Sequence, residues 1–380
     1  MKVAIDKDIP FSDIYIPLPG DIVKVDGRTV TAKDLADVDV LIIRSITRVN
    51  EALLDGSGVR FVGTVTSGSN HVDKQYLARR GIGFTDARGC NARAVAEYVL
   101  SSVLVLLEQR KDSAMGKVAG IVGCGYVGRL VSEFFQALGM TCLHYDPPLQ
   151  ENTGADCYAA FDDILGAEII TLHVPLESTG RFPTLGMFSR PQFEQLREDV
   201  ILINTSRGEV MDEKNLLEFM NRNPQTSCVL DVWCHEPEIN TALLDSVSLG
   251  TAHIAGYSLD AKYRALQAVY TEACTYLGQE PVVPPEPAVF QQTSVSLPLV
   301  DTGEDLELIR MAVLRSYDVR TDSGALHALL DQPAADQAGY FDELRNNYRS
   351  RREFSALRVE SPPGRPGLKA SLKKLGFNLN

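Results

Sequence analysis

Positive charge is in deficit: the 380 residues hold 37 Lys+Arg against 50 Asp+Glu, a formal net charge of −13. That balance argues against a nucleic-acid or anionic-membrane partner for the chain as a whole. Long apolar runs are missing too. The best stretch, near Val99–Leu107, is broken by Ser101 and Ser102 and is too short to span a bilayer. The N-terminus, Met1-Lys2-Val3-Ala4-Ile5-Asp6, runs straight into strand-like sequence instead of a charged region followed by a hydrophobic one, so a cytoplasmic protein is expected. The seven cysteines, Cys90, Cys124, Cys142, Cys157, Cys228, Cys234 and Cys274, are scattered and never spaced as CxxC. They read as reduced packing residues, with no metal site expected. No internal repeat or low-complexity segment is present. With 44% hydrophobic and 23% charged residues, what remains is an ordinary globular chain of two or three domains.

Short β-branched runs at Val3–Ile5, Val38–Ile43 and 60–64 alternate with helix-length polar segments, the pattern of a parallel α/β unit over about the first 95 residues. A long helix is expected over Asn91–Gln109, capped by Asn91, with Val95, Val99, Leu100, Val103 and Leu106 on one side. Strand-like runs then recur at Val118–Val122, Thr141–Tyr145, 169–173, 200–203, 228–232 and 247–249. Six such runs, each followed by room for a crossover helix, predict a doubly wound parallel sheet. Pro281–Pro287 reads as a stiff linker. Beyond it, an amphipathic helix carries Leu306, Ile309, Val313, Leu314 and Tyr317. The basic stretch from Arg345 to Asn380 reads as a solvated or subunit-contacting surface.

Gly123-Cys124-Gly125-Tyr126-Val127-Gly128 is a GxGxxG placed directly between a strand and a helical pattern, the context that makes this motif a dinucleotide fingerprint. Gly123 permits the turn, Gly125 lets backbone amides approach a pyrophosphate, and Gly128 lets the helix lie close on its strand. The diphosphate would sit on the positive end of that helix. Asp146, ending the next strand, can accept bonds from an adenosine ribose and would repel a 2′-phosphate, so NAD is the expected cofactor.

Three further strand ends carry Asn204-Thr205-Ser206-Arg207-Gly208, the Asp231–Pro237 segment and Thr251-Ala252-His253-Ile254-Ala255-Gly256-Tyr257. Ligands bind outside the carboxyl ends of strands in such sheets. The set suits hydride transfer coupled to proton transfer at a carbinol carbon. His253 would take the hydroxyl proton, Glu236 would hold the other imidazole nitrogen, and Arg207 would fork a substrate carboxylate. A second anion on the substrate would need another cation, for which Arg44, with Ser45 and Tyr257, is the candidate; a salt bridge is the competing reading for Arg44. His71, His144, His173, His235 and His327 are expected to be structural.

In order and spacing these segments, with Gly89-Cys90-Asn91-Ala92 and Val95-Ala96-Glu97, resemble the D-isomer-specific 2-hydroxyacid dehydrogenases over roughly residues 1–285. The resemblance implies a flavodoxin-like lid domain (1–95 with 256–285), an NAD-binding Rossmann domain (96–255), and a smaller α+β dimerisation domain (286–380). The 91–109 helix would be the hinge. By the family pattern, Ser45, Thr66, Ser67, Gly68 and Tyr257 would touch a small phosphorylated 2-hydroxy acid. Tyr126, Val127, Val174, Thr205, Ser206, Asp231 and Gly256 would join the glycines in lining NAD, and Arg207, Glu236 and His253 would be catalytic. A homodimer is implied. A corepressor-like protein that senses NADH without turnover is the alternative of another class.

Overall fold

Strands form where apolar runs can be covered on both faces, and helices follow each of the major ones. The computed structural model describes every residue except 16–19, 283–285, 292–295, 300–302 and 380; the Pro281–Pro287 linker expectation therefore lies partly outside the described residues. The chain divides into two compact units, 1–91 with 258–293, and 92–257 with 294–380.

The first unit holds a five-stranded parallel sheet, β1 (Lys2–Asp6), β2 (Asp21–Val25), β3 (Val40–Ile43), β4 (Phe61–Thr64) and β5 (Gly83–Asp86), in the order β2-β1-β3-β4-β5. Strands β3 and β4 are buried throughout, and the Leu259–Tyr276 helix lays Leu266, Val269 and Tyr270 into the same core as Val3, Ile5 and Phe61. At Gly63 a Cβ would come 2.3 Å from the Val269 side chain, so that helix packs against bare backbone. The edge strands β2 and β5 carry no apolar run and were not expected: β2 is half exposed, and every residue of β5 is only partly buried.

The second unit is built on a six-stranded parallel sheet, β6 (Val118–Val122), β7 (Thr141–Tyr145), β8 (Ile169–Leu172), β9 (Ile201–Asn204), β10 (Ser227–Leu230) and β11 (Leu249–Gly250), ordered β11-β10-β9-β8-β6-β7. The order reverses between β6 and β8, the switch point at which such sheets take ligands. The helix over Ala92–Arg110 is not one-sided: Ala92 and every residue from Ala94 to Leu107 are buried, because the sheet's helices pack on one flank and the C-terminal segment on the other. Residues 294–380 add a three-stranded parallel sheet, β12 (Ser296–Pro298), β13 (Arg358–Glu360) and β14 (Asn378–Leu379), and helices whose Leu308, Ile309, Val313 and Leu372 share one core with Val99 and Val103. That segment is thus part of the second compact unit. Its basic stretch is not simply solvated either: Arg349 pairs with Asp322, Arg365 with Asp305, Arg345 approaches Glu236, and Arg351 is buried. Among the described residues no helix is long and apolar enough to cross a membrane.

Candidate active site

The glycine turn follows β6 as expected. Gly123 has φ +88, a left-handed value that favours glycine, and a Cβ there would come 2.7 Å from the His173 backbone. At Gly128 a Cβ would fall 2.0 Å from the Gly123 carbonyl, so only glycine lets the Tyr126–Ala137 helix start this close to its strand. Gly125, the residue capping that helix, is different: a Cβ would meet nothing within 4 Å and no side chain caps the helix. Open space in front of free N–H groups at a positive helix end is what a pyrophosphate requires, so the residues present fit a dinucleotide. Tyr126 is exposed beside it and Val127 partly buried. Val174 stands over the turn, its Cγ1 3.0 Å from the position of a Gly123 Cβ. Asp146 directly follows β7; its carboxylate accepts from the Cys124 N–H at 2.8 Å and from Leu149 N–H at 3.0 Å, so it braces the turn as well as capping the next helix.

The β9 loop is organised by Asn204, which accepts from the Ser206 N–H and hydroxyl and donates to the Arg207 carbonyl. Ser206 is buried in these bonds, and the Thr205 hydroxyl is 3.1 Å from the His173 ring. Desolvation holds that ring far below the usual imidazole range, at about 3, so His173 is a neutral structural residue. Arg207 donates to the neighbouring Ser206 carbonyl at 2.6 Å and is partly exposed. A Cβ on Gly208 would lie 2.1 Å from the Trp233 carbonyl carbon, so the loop bearing Arg207 rests directly on the loop bearing Glu236.

Glu236 is the orienting group. Its Oε1 accepts from the Trp233 N–H at 3.0 Å, and its Oε2 lies 2.7 Å from His253 Nδ1. Burial acts to raise this carboxyl, and is outweighed by the bond and charge of His253, the Trp233 N–H and the charge of Arg345, which together hold it below the ordinary range. With Nδ1 engaged, Nε2 is the nitrogen left for a substrate hydroxyl. His253 sits at φ +55, uncommon for a non-glycine residue, and His235 at φ +60. The strained turn at His253 is pinned from behind: its N–H donates to the Asp231 carbonyl, and the Asp231 carboxylate accepts from the Thr251 hydroxyl and the Ile254 and Ala255 N–H groups. The Asp231 side chain, expected to line NAD, is buried and holds the His253 turn. Tyr98 donates to, or accepts from, Thr251 at 2.8 Å, and the Trp233 indole donates to the Thr251 carbonyl. Gly256 and Tyr257 follow at the end of this turn, partly exposed.

The remaining expected residues lie on the first unit, at the carboxyl ends of the adjacent strands β3 and β4. Arg44 is ion-paired, its Nε 2.9 Å from Asp6 and an Nη 2.7 Å from Asp8, so the salt-bridge reading describes its present partners. Ser45 is exposed. Thr66 donates to the Gly68 carbonyl, and Ser67 donates to Asn91 at 2.6 Å. Lys262, on the helix of the same unit, feels the Arg44 charge; burial first and that charge second lower its proton affinity. The sequence reading did not reach Arg345, which comes from the C-terminal segment to within 4.0 Å of Glu236.

Residues 105–255 match the model of the D-isomer specific 2-hydroxyacid dehydrogenase NAD binding domain, and residues 294–376 match a domain of unknown function, DUF3410. Curated proteins named erythronate-4-phosphate dehydrogenase from Marinobacter nauticus (38% identity over 388 residues) and Hahella chejuensis (39% over 381) each match over the whole of both chains. The one from Escherichia coli K12 is 39% identical over all of this chain and 98% of its own. Among solved structures, the NAD+-bound 3-phosphoglycerate dehydrogenase of Entamoeba histolytica superposes with a TM-score of 0.60 at 21% identity, over 73% of this chain and 95% of that one. The Aquifex aeolicus D-lactate dehydrogenase solved with NAD and lactic acid does so with a TM-score of 0.60 at 22%, over 75% and 100%; these two likenesses speak for the fold alone. On the full-length matches, the chain belongs to the erythronate-4-phosphate dehydrogenase family, with the NAD-binding domain of the D-isomer specific 2-hydroxyacid dehydrogenases.

Proposed function

We propose that this protein oxidises C2 of 4-phospho-D-erythronate to 3-hydroxy-2-oxo-4-phosphobutanoate, a step of pyridoxal 5′-phosphate (vitamin B6) biosynthesis. The observation that carries the reading is the Glu236–His253 pair, 2.7 Å apart on the unit that also bears the glycine turn. NAD, when bound, accepts the hydride that leaves C2. His253 Nε2 takes the proton of the C2 hydroxyl, so that the C–H and O–H bonds break as the carbonyl forms. Glu236 stabilises the imidazolium that results, as a charge-assisted hydrogen bond does. Arg207 clamps the substrate carboxylate and polarises the oxygen that becomes the carbonyl. Gly123, Gly125 and Gly128 with the helix N–H groups take the pyrophosphate, and Asp146 the ribose. Ser45, Thr66, Ser67, Gly68 and Tyr257 are assigned to substrate. Arg44, released from Asp8, is assigned to its phosphate.

The family relationship supports the substrate, and retention of Arg207, Glu236 and His253 together favours turnover over an NADH-sensing corepressor-like role. We further propose a cytoplasmic homodimer; the free cysteines suit a reducing compartment, and the assembly follows from the resemblance. A mass of about twice 41.7 kDa in solution checks it. Truncation at 286 would be a poor test, because residues after 294 complete the core around Val99 and Val103.

The decisive assay presents 4-phospho-D-erythronate, D-erythronate, 3-phospho-D-glycerate and D-lactate with NAD and follows nicotinamide absorbance; where 2-oxo acids are supplied in turn to reoxidise NADH, formation of the oxidised product is followed by mass spectrometry instead. A kcat/KM at least about 100-fold higher for the first acid is expected, about the value of one well-made contact to a charged group. Preference for 3-phospho-D-glycerate, or NADH binding without turnover, would overturn the reading.

A further inference from the structure

We propose that Arg345, on the Gln337–Asn346 helix of the C-terminal segment, is a positioning residue of the active site that shares the Glu236 carboxylate with His253. The inference rests on the reading of His253 as acid and base. Its Nη1 lies 4.0 Å from Glu236 Oε2, the same oxygen that is 2.7 Å from His253 Nδ1. The guanidinium also feels the Tyr257 side chain, four residues beyond His253; against burial, that side chain and the Glu236 charge raise its proton affinity. Among the described residues its buried Nε has no hydrogen-bond partner. Only a quarter of the side chain is exposed, against 17% for Glu236, so this is not the solvent-screened type of pair that contributes almost nothing.

The charged groups around the imidazole come from three segments, 231–236, 253–257 and 342–345. His253 faces Glu236 and feels the charge of the buried Asp231; Glu236 faces His253, Arg345 and the Trp233 N–H; Arg345 feels Glu236, Tyr257 and Asp342 of its own helix. A base that takes a proton from an alcohol does so in its neutral form, and negative charge beside the ring works against that form. A guanidinium 4.0 Å from the Glu236 oxygen that faces the ring draws off part of that charge and opposes a second cation nearby. It thereby weakens the negative field at the ring and fixes which Glu236 oxygen faces it. The C-terminal segment thus contributes to the chemistry of the site as well as to the core.

The test combines two readouts on the full-length enzyme. In Arg345→Gln, the acidic limb of the kcat/KM profile for oxidation moves to higher pH by about half a unit to one unit, the size of a partly screened charge interaction over several ångströms. The His253 ring resonance, assigned by its loss in His253→Asn and followed by NMR, shows a titration midpoint moved by the same amount. Arg345→Lys, which keeps the charge, leaves both near wild type. A folded Arg345→Gln protein whose ring midpoint is unmoved overturns the inference, and so does an Arg345→Lys protein that shifts as far as the Gln variant. A ring midpoint that moves while the kinetic limb stays put overturns instead the acid–base role of His253. Should Arg345→Gln not fold, Arg345→Met, which keeps the apolar stem, takes its place with the same expectation.

Discussion

Gly125 and Gly128 sit three residues apart in one turn, yet alanine at the two positions should fail in opposite ways. At Gly128 the new Cβ lies 2.0 Å from the Gly123 carbonyl oxygen and 3.2 Å from the Ile121 side chain, with backbone on the closest side. Ordinary contact is about 3.4 Å or more, so the helix must retreat by more than an ångström from a packed strand, at a cost of about 1–3 kcal/mol. For a unit of this size that lowers Tm by about 2–10 °C without any ligand. At Gly125 the new Cβ meets no atom within 4 Å, so unliganded Gly125→Ala should melt within a couple of degrees of wild type, on the order of what a neutral surface change gives. Its methyl group then occupies the space in which the helix N–H groups meet the pyrophosphate. Saturation at 100 times Kd stabilises a protein by about 2.7 kcal/mol, and Gly125→Ala should lose most of that increment. The assay is thermal melting of both variants with and without NADH, with NADH fluorescence titration alongside. Equal ligand-induced shifts in Gly125→Ala and wild type would refute the placement of the cofactor, and an undisturbed Gly128→Ala would refute the packing argument.

Glu236→Gln removes the charge but keeps the shape of the group 2.7 Å from His253 Nδ1; a charge-assisted bond contributes about 1.5–3 kcal/mol, so kcat for oxidation should fall about 10- to 150-fold with a smaller change in KM, read by steady-state kinetics. Glu97, wholly buried against Arg351 and the Phe354 N–H, is held up at about 8 by burial first and the Glu353 charge second. The folded chain therefore keeps a proton that the unfolded chain releases near 4.5; this stabilisation is complete below that value and is lost as pH rises through about 8. Denaturant titrations from pH 6 to 9 should show the decline, and Glu97→Gln should flatten it. Arg44→Ala should raise KM for the phosphorylated acid while leaving that for NAD unchanged; equal KM values in variant and parent would remove Arg44 from the substrate site.

The features legible in the sequence were those with local signals. Continuous apolar runs marked the central strands because both faces are covered, and the glycine turn was readable because each of its glycines answers a separate steric demand. Strands β2 and β5 escaped because they are sheet edges, where partial exposure permits Asp21, Lys24 and Asp86. Asp231 stood at the expected strand end, but its use depends on where the Ile254 and Ala255 N–H groups point, which no spacing reveals. Arg345 and Arg351 are the clearest cases of what was not legible. The latter donates to the Ala255 carbonyl, so both act on the His253 turn from far along the chain, and read locally they are members of a basic tail.

The central claim is that His253 moves the substrate proton while the glycine turn and helix end hold the cofactor independently of it. Single-turnover oxidation of 4-phospho-D-erythronate by His253→Asn, with NADH affinity measured on the same sample, tests it most directly. The account predicts a rate reduced by about 100-fold or more, the usual contribution of a positioned general base, with NADH affinity within about threefold of wild type. A His253→Asn enzyme that turns over at close to the parental rate would contradict it.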